Sequence, residues 1–325
     1  MNIELIAQDK NSGTIYDISE LVSDISWETT ISGQPGKLTF NYLASSNVLL
    51  TEGSIISFKV NGDGVFFGYI FKRGKTHNGI VSITAYDQMR YLKNKEFYSF
   101  SGMTASQIFI KLCKDFNLKH NVVNASNYVL ADRIYDNKTL FDIIDWSITE
   151  TLAYNANWYM IRDNFGTLEF VNLNNLKTDL FIGDQSLLTS YDFESSIDED
   201  TYNQVKLVKV NTQSKKRELY IVKDSSTIAR WGMLQYFETV DENANEAQIA
   251  EKAEKLLRLK NKATKKLKVD CIGDMRVYAG SGIVLGISDL AEDNLDTPQY
   301  FMVTGCTHNF TNDNHTMSLD LQVSG

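Results

Sequence analysis

The chain has 325 residues and a mass of 36.9 kDa, above the usual size of one domain, so two or three compact units are expected. Its 32 Lys and Arg against 41 Asp and Glu leave a net charge of −9, which disfavours binding to nucleic-acid phosphate through bulk electrostatics. A hydrophobic fraction of 43%, with 11% aromatic residues, supplies a core and excludes a largely disordered chain. Only 2 Pro and 19 Gly are present, so another residue type has to make many of the turns.

From the N-terminus to about residue 97, short strands are expected at Ile3–Ala7, Ile25–Thr29, Leu38–Tyr42, Ile55–Val60, Phe66–Phe71 and Ile80–Tyr86. They are rich in β-branched and aromatic residues, and Val81 to Tyr86 alternates with period two. Gly33-Gln34-Pro35-Gly36 and Asn61-Gly62-Asp63-Gly64 are turn sequences, the second a hairpin signal. The pattern predicts a small barrel or sandwich over residues 1–97.

Residues 98–188 change character and predict an α+β unit. Thr104-Ala105-Ser106-Gln107 has capping-box spacing ahead of Ile108, Leu112 and Phe116. A second helix is expected from Thr139, with Leu140, Ile143, Ile144, Ile148 and Leu152 on one stripe. Trp158–Ile161 and Leu168–Val171 form a hairpin around Asp163-Asn164-Phe165-Gly166. Residues 189–325 return to strands, interrupted by one helix at about 244–263 whose stripe is Ala247, Ala250, Ala253, Leu256, Leu257 and Ala263. The basic run from Lys252 to Lys262 is expected to be a solvated helix face, with a contact strip for an acidic partner as the alternative.

The first and last segments resemble each other in order. Trp27-Glu28-Thr29-Thr30-Ile31-Ser32 matches Phe193-Glu194-Ser195-Ser196-Ile197-Asp198, and Leu38-Thr39-Phe40 is set against Val205-Lys206-Leu207. Glu52–Phe58 parallels Gly280–Ile287, Val65–Ile70 parallels Gln299–Gly305, and Gly79–Ala85 parallels His315–Leu321. Two similar barrels in one chain, one split by a helix, suit a pseudo-symmetric ring, and three chains would supply six near-equivalent barrels.

Chemistry is not apparent. Cys113, Cys271 and Cys306 are far apart and form no CxxC pair, so neither a disulfide framework nor a thiolate zinc site is expected. His77, His120, His308 and His315 fit no metal-ligand spacing, and His308 and His315 are expected at the surface beside a turn at Asn309–Asn314. Gly280-Ser281-Gly282 lacks the rest of a dinucleotide loop, and no GxSxG or P-loop occurs. Asp198-Glu199-Asp200 and the loop Asp289–Asp296 lack the EF-hand plan and are expected to be solvated. No catalytic, cofactor-binding or metal-binding residue is assigned, no cofactor is expected, and an enzyme is not expected. The start of the chain carries no signal-peptide pattern and no stretch is long and apolar enough to span a membrane, so folding in a reducing cytoplasm is expected.

These stretches carry a family resemblance. Val65–Phe71, Ala85-Tyr86-Asp87-Gln88-Met89-Arg90-Tyr91-Leu92, Thr139–Ile144, Tyr202-Asn203-Gln204-Val205, Gly232-Met233-Leu234-Gln235, Ala279–Gly282 and His315–Leu321, in that order, resemble the baseplate hub proteins of contractile phage tails and phage-tail-like bacteriocins. The resemblance is especially to those of Gram-positive phages, defective prophages and phage-tail-like bacteriocins. The resemblance implies an α+β, mainly β fold, with two tail-tube-like β-barrel domains flanking a small α+β domain. It also implies a homotrimeric ring that adapts a hexameric tail tube to a trimeric spike. The implied partners are the tube protein, the spike or tail-tip protein, other baseplate proteins and the tape measure, with no specific nucleic-acid binding. The chain stops just after the last expected strand, so any cell-wall hydrolase is expected on another protein. A peptidoglycan hydrolase, suggested by the carboxylate-rich loops, and a carbohydrate-binding tail-tip module, suggested by the aromatics, are the rival expectations.

Overall fold

A computed structural model describes residues 1–31, 33–44, 48–198, 200–210, 216–240, 245–311 and 314–322. The first seven strands are β1 (Ile3–Gln8), β2 (Ile15–Asp17), β3 (Val22–Thr30), β4 (Lys37–Leu43), β5 (Ile55–Val60), β6 (Asp63–Lys75) and β7 (Ile80–Tyr86). Period-two patterning puts alternate residues inside: Ile56, Phe58 and Val60 of β5 face the core with Phe40 of β4 and Ile83 of β7. The β5–β6 hairpin turns through Asn61 and Gly62, both at positive φ (52° and 90°), which the asparagine and glycine accept with little strain. Asn117, Asn137 and Asn294 also take left-handed φ. Asparagine therefore does work that glycine does elsewhere.

The middle part contains β8 (Lys95–Phe100), α1 (Ala105–Asp115), β9 (His120–Val122), β10 (Arg133–Thr139), α2 (Leu140–Asn155), β11 (Tyr159–Asp163) and β12 (Leu168–Asn172). Both expected helix starts are real capping boxes, Thr104 with Gln107 and Thr139 with Asp142. Ile108, Phe109 and Leu112 of α1 and Leu140, Ile143 and Ile144 of α2 close on Tyr159 and Phe170 in one core. Cys113 is buried there, and burial pushes its thiol up to about 12.

The rest of the chain forms β13 (Lys177–Gly183), β14 (Leu188–Ser196), β15 (Gln204–Val210), β16 (Arg217–Lys223), α3 (Ser225–Trp231), β17 (Gln235–Val240), α4 (Glu246–Lys260), β18 (Thr264–Ile272), β19 (Gly282–Gly286), β20 (Gln299–Thr311) and β21 (Asn314–Gln322). Met1–Tyr191 and Lys268–Gln322 make one compact unit, and Asp192–Leu267 make a second. In the second unit, β15 runs antiparallel to β16 and parallel to β17, and Ile249 and Ala253 of α4 pack on Val205 and Leu207. The buried stripe of α4 is thus Ile249, Ala253, Leu256 and Leu257. Ala247 and Ala250, expected in the stripe, are exposed, because the larger Ile249 sets which face is covered. Its basic run lies in water, with Lys252 paired to Glu238 at 2.6 Å and Lys255 to Glu251 at 2.7 Å.

The large sheet runs β14-β18-β21-β20-β3-β4-β7-β6-β5-β1-β2, with β19 beside β20 and β13 beside β19. Two runs of six strands share one plan: β3-β4-β7-β6-β5-β1 and β14-β18-β21-β20-β19-β13. The fold is α+β and mainly β, as expected. Four of the five matched sequence blocks fall on topological equivalents: β3 with β14, β5 with β19, β6 with β20, and β7 with β21. The fifth is corrected: the counterpart of β4 is β18, while Val205–Leu207 belong to β15 in the second unit. Strand-like composition alone could not tell these apart, since β4 and β15 differ in their neighbours rather than in their residue types. The last pair of strands also differs between runs, because β1 meets β5 antiparallel whereas β13 meets β19 parallel.

Candidate assembly interface

The two six-strand runs meet where β3 pairs with β20, from Ile25↔Phe310 to Thr30↔Gly305. Four rings, Trp27, His308, Phe310 and His315, fill the inner face of this joint and reach Phe58 in the core. His308 is fully buried and stacks against Trp27 at 5.3 Å. Phe310 stacks on His315 at 4.5 Å and meets Phe58 edge-on at 5.2 Å, so β20 places an aromatic ring in the core of the first run.

Hydrogen bonds assign the histidine tautomers. A carbonyl can only accept, so His308 Nε2–H donates to the Val277 carbonyl at 2.7 Å. His308 Nδ1 then accepts from His315 Nε2–H at 2.9 Å. Burial lowers the pKa of His308 to about 4, which keeps the ring neutral, and also lowers that of His315. The surface expectation for His308 is therefore overturned. A histidine two residues from a turn reads as exposed until the partner strand that covers it is known, and β3 lies almost 280 positions away in sequence. The expected turn itself includes residues 312 and 313, which lie outside the described residues.

Cys306 Sγ sits 3.2 Å from His308 Nε2. This is not a nucleophile and base: burial raises the thiol well above its usual range, and both groups are closed off from solvent. Among the described residues no group of three His, Cys, Asp or Glu side chains could hold a metal ion. Of the acidic candidates, Glu199 lies outside the described residues, and Ser288–Asp293 forms a short 3-10 turn.

The remaining resemblance stretches prove to be joints. In Ala85–Leu92, Asp87 is buried, accepts from the Gly36 and Met89 N–H groups at 2.9 Å each, and caps a short 3-10 helix at Gln88–Lys93. The Gln88 amide donates to the Gly166 carbonyl and so grips the β11–β12 hairpin. In that hairpin Asp163 accepts from Gly166 N–H at 2.6 Å, and its other oxygen has no hydrogen-bond partner. Burial raises the Asp163 carboxyl to about 6, and burial together with the Asp163 charge holds the Asp87 carboxyl well above the usual carboxylate range. A raised folded pKa means that stability is present at low pH and is lost as pH climbs from the unfolded value, 3.8, through about 6. Asp163→Asn is therefore expected to stabilise the chain by about 1–3 kcal/mol at pH 7 and to have little effect at pH 4. Urea midpoints at the two pH values check this, and equal shifts at both would refute it.

Ala279–Gly282 is a second joint. Gly280 has φ +93°, and a Cβ there would meet Leu173 at 3.1 Å and run into the Met160 sulfur. Beside it Tyr278 lies under the Arg162 guanidinium at 4.9 Å, and Arg162 is paired with Glu169 at 2.7 Å. In the second unit the stretches Tyr202–Val205 and Gly232–Gln235 hold each other. Buried Asn203 donates to the Gly232 carbonyl at 2.7 Å and accepts from Leu234 N–H at 2.8 Å. Every stretch of the resemblance is thus accounted for by a cap, a strand or a close packing contact.

The model of the YQBQ-like family matches residues 25–322. The chain belongs to the YQBQ-like family. Two relatives from Bacillus subtilis (strain 168) align with most of it. The uncharacterized protein YqbQ is 28% identical over 84% of this chain and 82% of its own length. The phage-like element PBSX protein XkdQ is 27% identical over 84% of this chain and 82% of its own. Among solved structures, the 43 kDa tail protein of prophage MuSo2 from Shewanella oneidensis has a TM-score of 0.71 at 12% identity, covering 98% of each chain. A chain of the Francisella PdpA-VgrG complex has a TM-score of 0.59 at 11% identity, covering 98% of this chain and 52% of that one. At such identities the likeness concerns fold alone: this YQBQ-like chain is built like a tail protein.

Proposed function

We propose that the chain is a structural baseplate hub of a contractile tail, made in the bacterial cytoplasm and resident in the baseplate. In this reading, residues 1–97 and 189–325 are two tube-like domains flanking the middle domain, residues 98–188. Three copies form a ring that offers six similar faces to a hexameric tube and three to a spike. The observation that carries the proposal is the repeated six-strand plan, joined within one chain through β3 and β20. A chain that already holds two equivalent modules side by side needs only threefold symmetry to present six. The phage-element name of XkdQ and the tail-protein and VgrG-complex folds of the neighbours support the same role.

The hub performs no turnover, and its work is to hold neighbours in register. Purified chain is expected to sediment as a species of three times the chain mass and to co-purify with tube and spike proteins when these are co-expressed. A monomer at all concentrations, or clearing of a peptidoglycan gel by the purified chain, would overturn the reading. One observation favours a carbohydrate-binding module instead. Tyr154, 71% exposed, stacks on Tyr128 at 4.0 Å beside the Asn127 and Asn155 amides, groups that suit a sugar ring. Saturable glycan binding by a monomeric chain would favour that module.

A further inference from the structure

The repeat extends to individual hydrogen bonds. In the first run Gly53 N–H donates to Ile70 O at 2.7 Å and Ile70 N–H to Ser54 O at 2.9 Å. In the second, Gly280 N–H donates to Val303 O at 2.8 Å and Val303 N–H to Ser281 O at 2.9 Å. The strand irregularity recurs too, between Ile70 and Lys72 in β6 and between Val303 and Gly305 in β20. The pairs Ile70↔Ala85, Lys72↔Thr84 and Arg73↔Ile83 reappear as Val303↔Leu321, Gly305↔Asp320 and Cys306↔Leu319. Lys72 of β6 is therefore the equivalent of Gly305 of β20.

Beyond this point the two runs differ. On β20 the edge from Gly305 onward is taken by β3, beginning with Ile31 N–H to Thr304 O at 2.9 Å. On β6 pairing with β5 ends at Tyr69↔Ile55, and among the described residues no strand covers the same edge from Lys72 to Lys75. At the other end of the sheet β14, the counterpart of β3, has β18 on one side and no described strand on the other. One chain thus carries both halves of a joint that it has already made once internally.

We infer that the β6 edge of one copy pairs antiparallel with the β14 edge of the next, repeating the β3–β20 joint between chains. The inference rests on the hub reading for the number of copies, but not for the pairing itself. Moving the internal register onto the free edges sets Lys72 opposite Ser196, Arg73 opposite Ser195, Gly74 opposite Glu194, Lys75 opposite Phe193 and Thr76 opposite Asp192. Charge supports the match. Lys72, Arg73 and Lys75 are exposed on one edge, and Asp192 and Glu194 are exposed on the other. Lys72 lies diagonal to Glu194 on one face, and Lys75 faces the Phe193 ring on the other. An unpaired edge is a template for another chain, and a head-to-tail contact of this kind makes a ring when its rotation closes.

The test uses disulfide trapping. Ile31–Thr304 is a hydrogen-bonded pair, so Thr30–Gly305 is a non-hydrogen-bonded pair, the closer kind and suited to a disulfide. Its image between chains is Ser196 with Lys72. Full-length Lys72→Cys and Ser196→Cys proteins, mixed under mild oxidation, are expected to give a covalent dimer that neither gives alone. Lys72→Cys mixed with the out-of-register Ser190→Cys is expected to give none. The three native cysteines are buried and leave the readout clean. As a second measurement, Lys72→Glu is expected to weaken self-association at least tenfold, and adding Glu194→Lys to restore it. A trimer without the cross-link or the charge effect overturns the pairing and leaves the hub reading intact. The cross-link in assemblies other than trimers upholds the pairing and overturns the threefold hub. Neither cross-link nor trimer overturns both.

Discussion

Phe310→Ala is expected to cost about 3–5 kcal/mol of folding stability, the usual cost of emptying a large buried aromatic site. The ring is 2% exposed and belongs to the core of the first strand run, although its strand, β20, belongs to the second. Its truncation removes the edge-on contact with Phe58 and the stack on His315 together. The loss therefore falls on the joint between the runs as well as on the core. Tyr300→Ala on the same strand is a fitting control, since Tyr300 is 60% exposed and is expected to cost within about 0.5 kcal/mol. Urea unfolding of both variants at neutral pH checks the contrast. A Phe310→Ala loss below about 1 kcal/mol would mean that this ring does not hold the joint.

Acid is expected to weaken the same joint. His308 has a folded pKa of about 4 against 6.5 for a free imidazole, because burial penalises its charged form. The unfolded chain then binds a proton more readily than the folded one. The stability that neutral His308 supplies is complete above pH 6.5 and is lost as pH falls toward 4, by roughly 3 kcal/mol in all. His315 acts in the same direction. Asp274, held below the usual carboxylate range mainly by its bond to Arg276, adds a further loss below the ordinary value of 3.8. Asp163 acts oppositely, losing its contribution as pH rises through about 6. Between pH 4 and 6 the two trends offset each other, so the acid limb is read in an Asp163→Asn background. Urea midpoints of Asp163→Asn from pH 4 to 7 check the acid limb, and adding His308→Gln should flatten it between 6.5 and 4. A midpoint unchanged across that range in Asp163→Asn would refute the assignment.

Much of the fold was legible because its signals are local. The Asn61-Gly62 turn, the Thr104 capping box, the helix start at Thr139 and the period-two strands each depend on residues within a few positions of one another. The repeat was legible because β3 and β14, β6 and β20, and β7 and β21 kept similar side chains in the same order. What escaped was everything fixed by distant partners. Val205–Leu207 looked like a copy of β4 but has the neighbours β16 and β17 instead. The extra sheet in the second unit escaped with it, because exposed strands such as β16 alternate weakly. His308 looked like a surface residue and is the centre of the joint.

By itself, then, the sequence determined the fold class, the helix starts, the turn chemistry and the existence of two similar strand runs. Only the tertiary structure decided which strands correspond, how the runs join through β3 and β20, and which edges of β6 and β14 remain open. The physical reason is that a strand's alternation records which face is buried, whereas its pairing depends on backbone groups that every residue but proline carries alike.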